Sequence, residues 1–187
     1  MKIDQNILEG CLREERKAQS ELYRLLYDRF MGMCIRYREN KNDAVVSLNT
    51  AFVKILSNLN ELKDLDVFEG WAKRIIINQM LTEIKKASIE RDRTESIDHA
   101  DLSTYTSTLN TGEQKLDAEY LKQLLKALPT KTNHVFNLFA IDGYSHKEIS
   151  KLLEISEGTS KWHVSEARQL LKIGLQTMGE KQKMSAT

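Results

Sequence analysis

The sequence predicts an all-α protein: two small helical domains joined by a flexible linker, the C-terminal domain containing a helix-turn-helix. Three observations carry this. Apolar residues recur at three- and four-residue steps over most of the chain. Only eight glycines and one proline occur in 187 residues, so few positions force a helix to stop. Residues 91–113 break the pattern, being rich in Ser, Thr and Asp with few large apolar groups, and read as a tether.

The first domain, residues 1–90, contains four helices. Leu8 and Leu12 place a first helix ending near residue 16, and Leu22, Leu25, Leu26, Phe30 and Ile35 place a second over about 18–38. After the polar break Glu39-Asn40-Lys41-Asn42, a third helix over 44–58 carries Val45, Leu48, Phe52 and Ile55 on one face. A fourth runs over about 68–86 with Trp71, Ile75, Asn78 and Leu81 in register. Four helices with short connections enclose a small core. The second domain, residues 114–178, opens with a helix through Leu116, Tyr120, Leu121, Leu124 and Leu125. That helix ends by Leu128, because Pro129 disfavours helical geometry in the residue before it. Residues 132–141 form the next, with Val135, Phe136, Leu138 and Phe139 apolar and Asp142-Gly143 closing it. Residues 179–187 are expected to be a frayed tail.

Between these, residues 143–172 read as two short amphipathic helices crossed by a turn. Ser145 is a cap with Glu148 three residues on, the spacing of a capping box, and Ile149, Leu152 and Leu153 share one face. Ser156 is a second cap. Ser160, Val164, Ala167 and Leu171 form the inward stripe of the second helix, turning Thr159, Lys161, Trp162, His163, Ser165 and Glu166 outward. Such geometry also serves plain helix packing. The exposed face favours DNA instead, with Lys161, His163 and Arg168 as donors and Trp162 an odd choice for a solvated surface. In this motif the second helix enters the major groove. The candidate contacts are Thr159, Ser160, Lys161, Trp162, His163, Ser165 and Arg168.

Composition excludes several other classes. Lys and Arg number 28 against 27 Asp and Glu, so long-range attraction to DNA is modest and any footprint is local. Cys11 and Cys34 make no metal-ligand spacing with each other or with His99, His134, His146 and His163, and read as reduced structural thiols. No metal or other cofactor is expected. No nucleophile, base and orienting group occur together and no glycine-rich phosphate loop exists, which argues against an enzyme. The N-terminus Met-Lys-Ile-Asp-Gln lacks a signal peptide's apolar core and no apolar run approaches bilayer length, so a cytoplasmic protein without membrane insertion is expected.

The string Leu125-Lys126-Ala127-Leu128-Pro129, then Val135-Phe136-Asn137-Leu138, Gly143 to Ile149 and Ile155 to Lys161, resembles region four of bacterial RNA polymerase sigma factors of the extracytoplasmic-function type. Phe68-Glu69-Gly70-Trp71-Ala72-Lys73-Arg74-Ile75-Ile76-Ile77-Asn78 resembles the family's region two. The resemblance implies that the first domain meets core polymerase and the minus-ten element, and the second the minus-thirty-five element. It places Lys73, Arg74, Asn78 and Lys85 at minus-ten DNA, with Asn78 facing a base extruded beside loop 61–67. Trp71 is either core or contact, and Lys85 and Lys86 suit phosphates or the helix dipole equally. The sequence departs from the family at residues 44–51, where an acidic run is usual. Core polymerase contact is therefore assigned to Val46, Asn49, Phe52 and Val53, a less polar dock. The recognition helix departs too, with Trp162, His163 and Glu166 where basic residues are common.

The resemblance implies promoter DNA and core RNA polymerase as partners, a monomer when free, and an anti-sigma factor as a masking partner for the two surfaces. Binding and strand separation, without covalent chemistry, would be its mechanism. The competing reading is a regulator that binds duplex DNA through the helix-turn-helix and uses its N-terminal bundle without docking on polymerase.

Overall fold

Asp4 begins the first helix, accepting the Asn6 N–H at 3.0 Å, and α1 spans Gln5–Leu12. The break comes four residues earlier than expected, because Glu14 takes a left-handed conformation (φ 58°) with no glycine or proline to announce it. Gly10 makes the turn back possible: a Cβ there would lie 2.6 Å from the Ala18 Cβ. Helix α2, Arg16–Tyr37, packs on α1 and buries Leu22, Leu26 and Phe30. Asn40 caps α3, Lys41–Ser57, by accepting the Asp43 N–H at 2.9 Å. Two single 3₁₀ turns, Leu59–Glu61 and Leu65–Val67, lead into α4, Phe68–Asp92.

The structure, a computed structural model, describes residues 3–38, 40–62, 64–92 and 118–185, and all regular structure among them is helical. They fall into two units on either side of residue 95. Nearly all of the expected tether, from residue 93 on, lies outside the described residues, and Arg91 and Asp92 belong to α4.

In the first unit α3 packs against both α2 and α4 around Leu48, Ala51, Ile55, Ile76, Ile77 and Met80. The buried register of α4 is Phe68, Ala72, Ile76, Ile77, Met80 and Leu81; of the expected Trp71, Ile75, Asn78 and Leu81 set only Leu81 is buried. With Ile75, Ile76 and Ile77 consecutive, apolar periodicity alone does not fix the rotation of this helix. Polar groups pin the same three helices. Glu83 accepts from the Ser47 hydroxyl and the Gln79 amide, and Arg38 Nη2 lies 3.2 Å from its Oε2. Cys11 and Cys34 are buried thiols, pushed up to about 11 and about 12 chiefly by desolvation.

In the second unit, α5 (Ala118–Ala127) and α6 (Thr130–Phe136) flank Pro129, and α6 continues as a π-helical segment, Asn137–Ile141. Helix α7 spans His146–Leu153 and α8 spans Glu157–Ser185. Helix α8 thus covers most of the stretch 179–187 expected to fray. Leu124, Leu128, Ala167, Leu170 and Leu171 make the core, with Tyr120 and Phe136 against it. Helices α5 and α8 meet at Gly174, whose missing Cβ would fall 2.3 Å from Leu124 Cδ2, and the Tyr120 hydroxyl donates to the Gly174 carbonyl at 3.0 Å.

Candidate nucleic-acid interface

The α7–α8 pair is built from two serine caps. Ser145 Oγ accepts the Glu148 N–H while Glu148 Oε2 accepts the Ser145 N–H at 2.9 Å, closing the capping box. Helix α7 ends at Glu154 in a left-handed conformation (φ 55°), with the Ile155 N–H donating back to the Ser150 carbonyl. Ser156 Oγ then accepts the Thr159 N–H at 2.9 Å, capping the first turn of α8, which begins at Glu157. The crossing is thereby fixed locally at both ends of the turn.

This rotation sorts the expected upstream contacts. Thr159, Lys161, Trp162, Ser165 and Arg168 are exposed, with Trp162 57% accessible. Ser160 is not available to a base: it is fully buried, 2.9 Å from His146 Nδ1, and His146 stacks on Phe139 at 4.3 Å. The serine satisfies a packed histidine where α7, α8 and the π-helical segment converge. His163 and Glu166 lean against α6 rather than standing clear on the outer face expected of them, their side chains 12% and 28% accessible. His163 Nδ1 lies 2.9 Å from the hydroxyl of buried Thr132 on α6, which donates to Glu166 Oε2 at 2.5 Å. Burial holds the His163 ring below the ordinary histidine range, with Glu166 opposing and Lys131 assisting. Sequence periodicity missed Thr132, whose signal would have been a buried hydroxyl in the first turn of α6.

In the first unit, α4 brings Arg74, Asn78 and Lys85 onto one exposed stripe at helical spacing, while Lys73 sits a quarter turn away and is half-buried. Trp71 is half-buried against Phe68, ring centroids 5.9 Å apart, and so is both packed and reachable. Arg29 Nε reaches Glu69 Oε1 at 2.6 Å, fastening α2 to the start of α4 and holding the Glu69 carboxyl below its ordinary range. On α3, Val46 and Val53 are 57% and 62% accessible on either side of exposed Asn49. Tyr23 donates to Asn49 Oδ1 at 2.7 Å and meets Phe52 edge to face at 5.2 Å, so Phe52 supports this stripe from its half-buried side. Among the described residues no cluster of His, Cys, Asp and Glu is arranged to hold a metal, and no helix is long and apolar enough to cross a membrane.

Residues 118–171 match the family model for sigma-70 region 4. Curated relatives extend the likeness over both units. The extracytoplasmic-function (ECF) RNA polymerase sigma-E factor of Haemophilus influenzae is 20% identical over 94% of this chain and 96% of its own length. The ECF sigma factor SigW of Bacillus subtilis is 24% identical over 84% of this chain and 89% of its own. Among solved structures, the sigma factor RpoE in complex with the anti-sigma factor NepR from Bartonella quintana has a similar fold. Its TM-score is 0.53 at 16% identity, over 84% of this chain and 96% of that one. With region 4 matched in its second unit and likeness running through its first, the chain is similar over both units to bacterial RNA polymerase sigma factors of the extracytoplasmic-function type.

Proposed function

We propose that this protein is a promoter-specificity subunit that binds core RNA polymerase, recognises two promoter elements and assists strand opening. The observation that carries it is the pairing in one chain of a region 4 helix-turn-helix with a separate helical unit that presents Arg74, Asn78 and Lys85 on a single stripe. The first unit takes the minus-ten element, with Arg74 and Lys85 on phosphates and Asn78 on an extruded base, while Lys73 supports the stripe from its edge. The second unit takes the minus-thirty-five element through Thr159, Lys161, Trp162, Ser165 and Arg168. Val46, Asn49 and Val53, backed by Phe52, form the polymerase dock.

Holding one element raises the effective concentration of the other unit at its own element, so two modest grips sum to a selective one. The protein acts in the cytoplasm by binding alone, needs no cofactor, and is a monomer when free. An anti-sigma factor is its natural inhibitor, since both nucleic-acid surfaces are otherwise open. Likeness to sigma factors across both units disfavours a regulator that never docks on polymerase. Mixing the purified chain with core polymerase on a promoter library tests the proposal: a stable complex with defined start sites supports it, and failure to bind core or to select any start site refutes it.

A further inference from the structure

The hydrogen bonds around His163 fix more than its position. A carboxylate only accepts, so the 2.5 Å contact of the Thr132 hydroxyl to Glu166 Oε2 uses that hydroxyl's single proton. The 2.9 Å contact between Thr132 Oγ1 and His163 Nδ1 then has one consistent direction: Nδ1–H donates to the hydroxyl oxygen. Nε2 is left as a bare lone pair. It makes no hydrogen bond among the described residues, and the side chain keeps 12% of its surface accessible. The ring lies between Lys161 and Ser165 in sequence, with the exposed Trp162 indole edge-on to it at 4.8 Å.

Resting on the promoter reading above, we propose that His163 is a specificity-determining residue that offers the DNA an acceptor rather than a donor. Thr132 and Glu166 are the positioning residues that hold it in that form. Its partner in the major groove is an exocyclic amino group, adenine N6 or cytosine N4; guanine O6 and thymine O4 would meet it lone pair to lone pair. The desolvation that keeps the ring neutral preserves this polarity at neutral pH. A histidine at a recognition helix thereby stops being a phosphate clamp and becomes a reader of one base.

Two measurements test this. Nitrogen-15 spectra of the histidine-labelled full-length chain report the tautomer directly: Nδ1–H is expected for His163 in the wild type and in Thr132→Ser, and a shift toward Nε2–H in Thr132→Val. An Nε2–H ring in the wild type overturns the proposal, and this reading needs no variant to fold. Selection of a randomised upstream element by the chain bound to core polymerase reports the base. Wild type and Thr132→Ser should enrich adenine or cytosine on one strand at one position by roughly tenfold, and Thr132→Val should lose that preference alone. A Thr132→Val profile identical to wild type overturns the proposal while leaving the promoter reading intact. A wild type that selects no sequence overturns the promoter reading, and this inference with it.

Discussion

Asparagine is a poor helix former, yet Asn78 stands exposed in the body of α4 between Arg74 and Lys85. Replacing it with alanine should raise thermal stability slightly, by about 0.5 kcal/mol, while impairing promoter opening more than duplex binding. Parallel measurement of duplex affinity and of unpaired promoter bases checks this, and equal loss in both would remove base capture from its role. His163 carries a second expectation. Its folded pKa lies below the ordinary 6.5, so the unfolded chain binds the proton more readily. The resulting stability is complete above about pH 6.5 and is lost as pH falls through the folded value. Urea unfolding at stepped pH should show the wild type losing more stability than His163→Gln below pH 6.5. Glu166 and Lys131 face the ring, and equal slopes would mean that its proton is not excluded by folding.

Helices declared themselves in the sequence wherever caps and periodicity agreed, as at Ser145, Glu148, Ser156 and Pro129. They differ from the sequence pattern where geometry depends on a distant partner. The left-handed Glu14 has no local signature, and the three consecutive isoleucines of α4 permit more than one rotation. The candidate site divides in the same way. Exposed Lys161, Trp162, Ser165 and Arg168 and the inward stripe of Ser160 followed from helical phase, whereas the bond of Ser160 to His146 and the lean of His163 on Thr132 depend on partners that only folding brings near. Gly174 shows what such contacts imply for an element. Alanine there gains helix propensity but drives its Cβ into Leu124, which is fully buried and has little room to yield. Gly174→Ala should therefore destabilise the second unit by about 1–3 kcal/mol, seen as a lower melting temperature for its transition. An unchanged or raised melting temperature would mean that α5 and α8 separate at little cost.

At the scale of the molecule, the proposed function asks one unit to hold polymerase while both meet DNA. On that proposal the dock of Val46, Asn49 and Val53 carries no charge, so docking would depend on packing rather than charge pairing. Val46→Glu and Val53→Glu together should weaken core binding by about tenfold or more with little change in melting temperature, since both side chains are exposed. Weak dependence of core affinity on salt would accompany this in the wild type. On the proposed function, one chain grips a promoter at two points and opens it. Permanganate probing of a selected promoter with core polymerase and this protein tests it most directly. Unpaired thymines should appear near the start site with the intact promoter and disappear when either element is scrambled; opening that survives loss of the minus-ten element, or no opening at all, would contradict it.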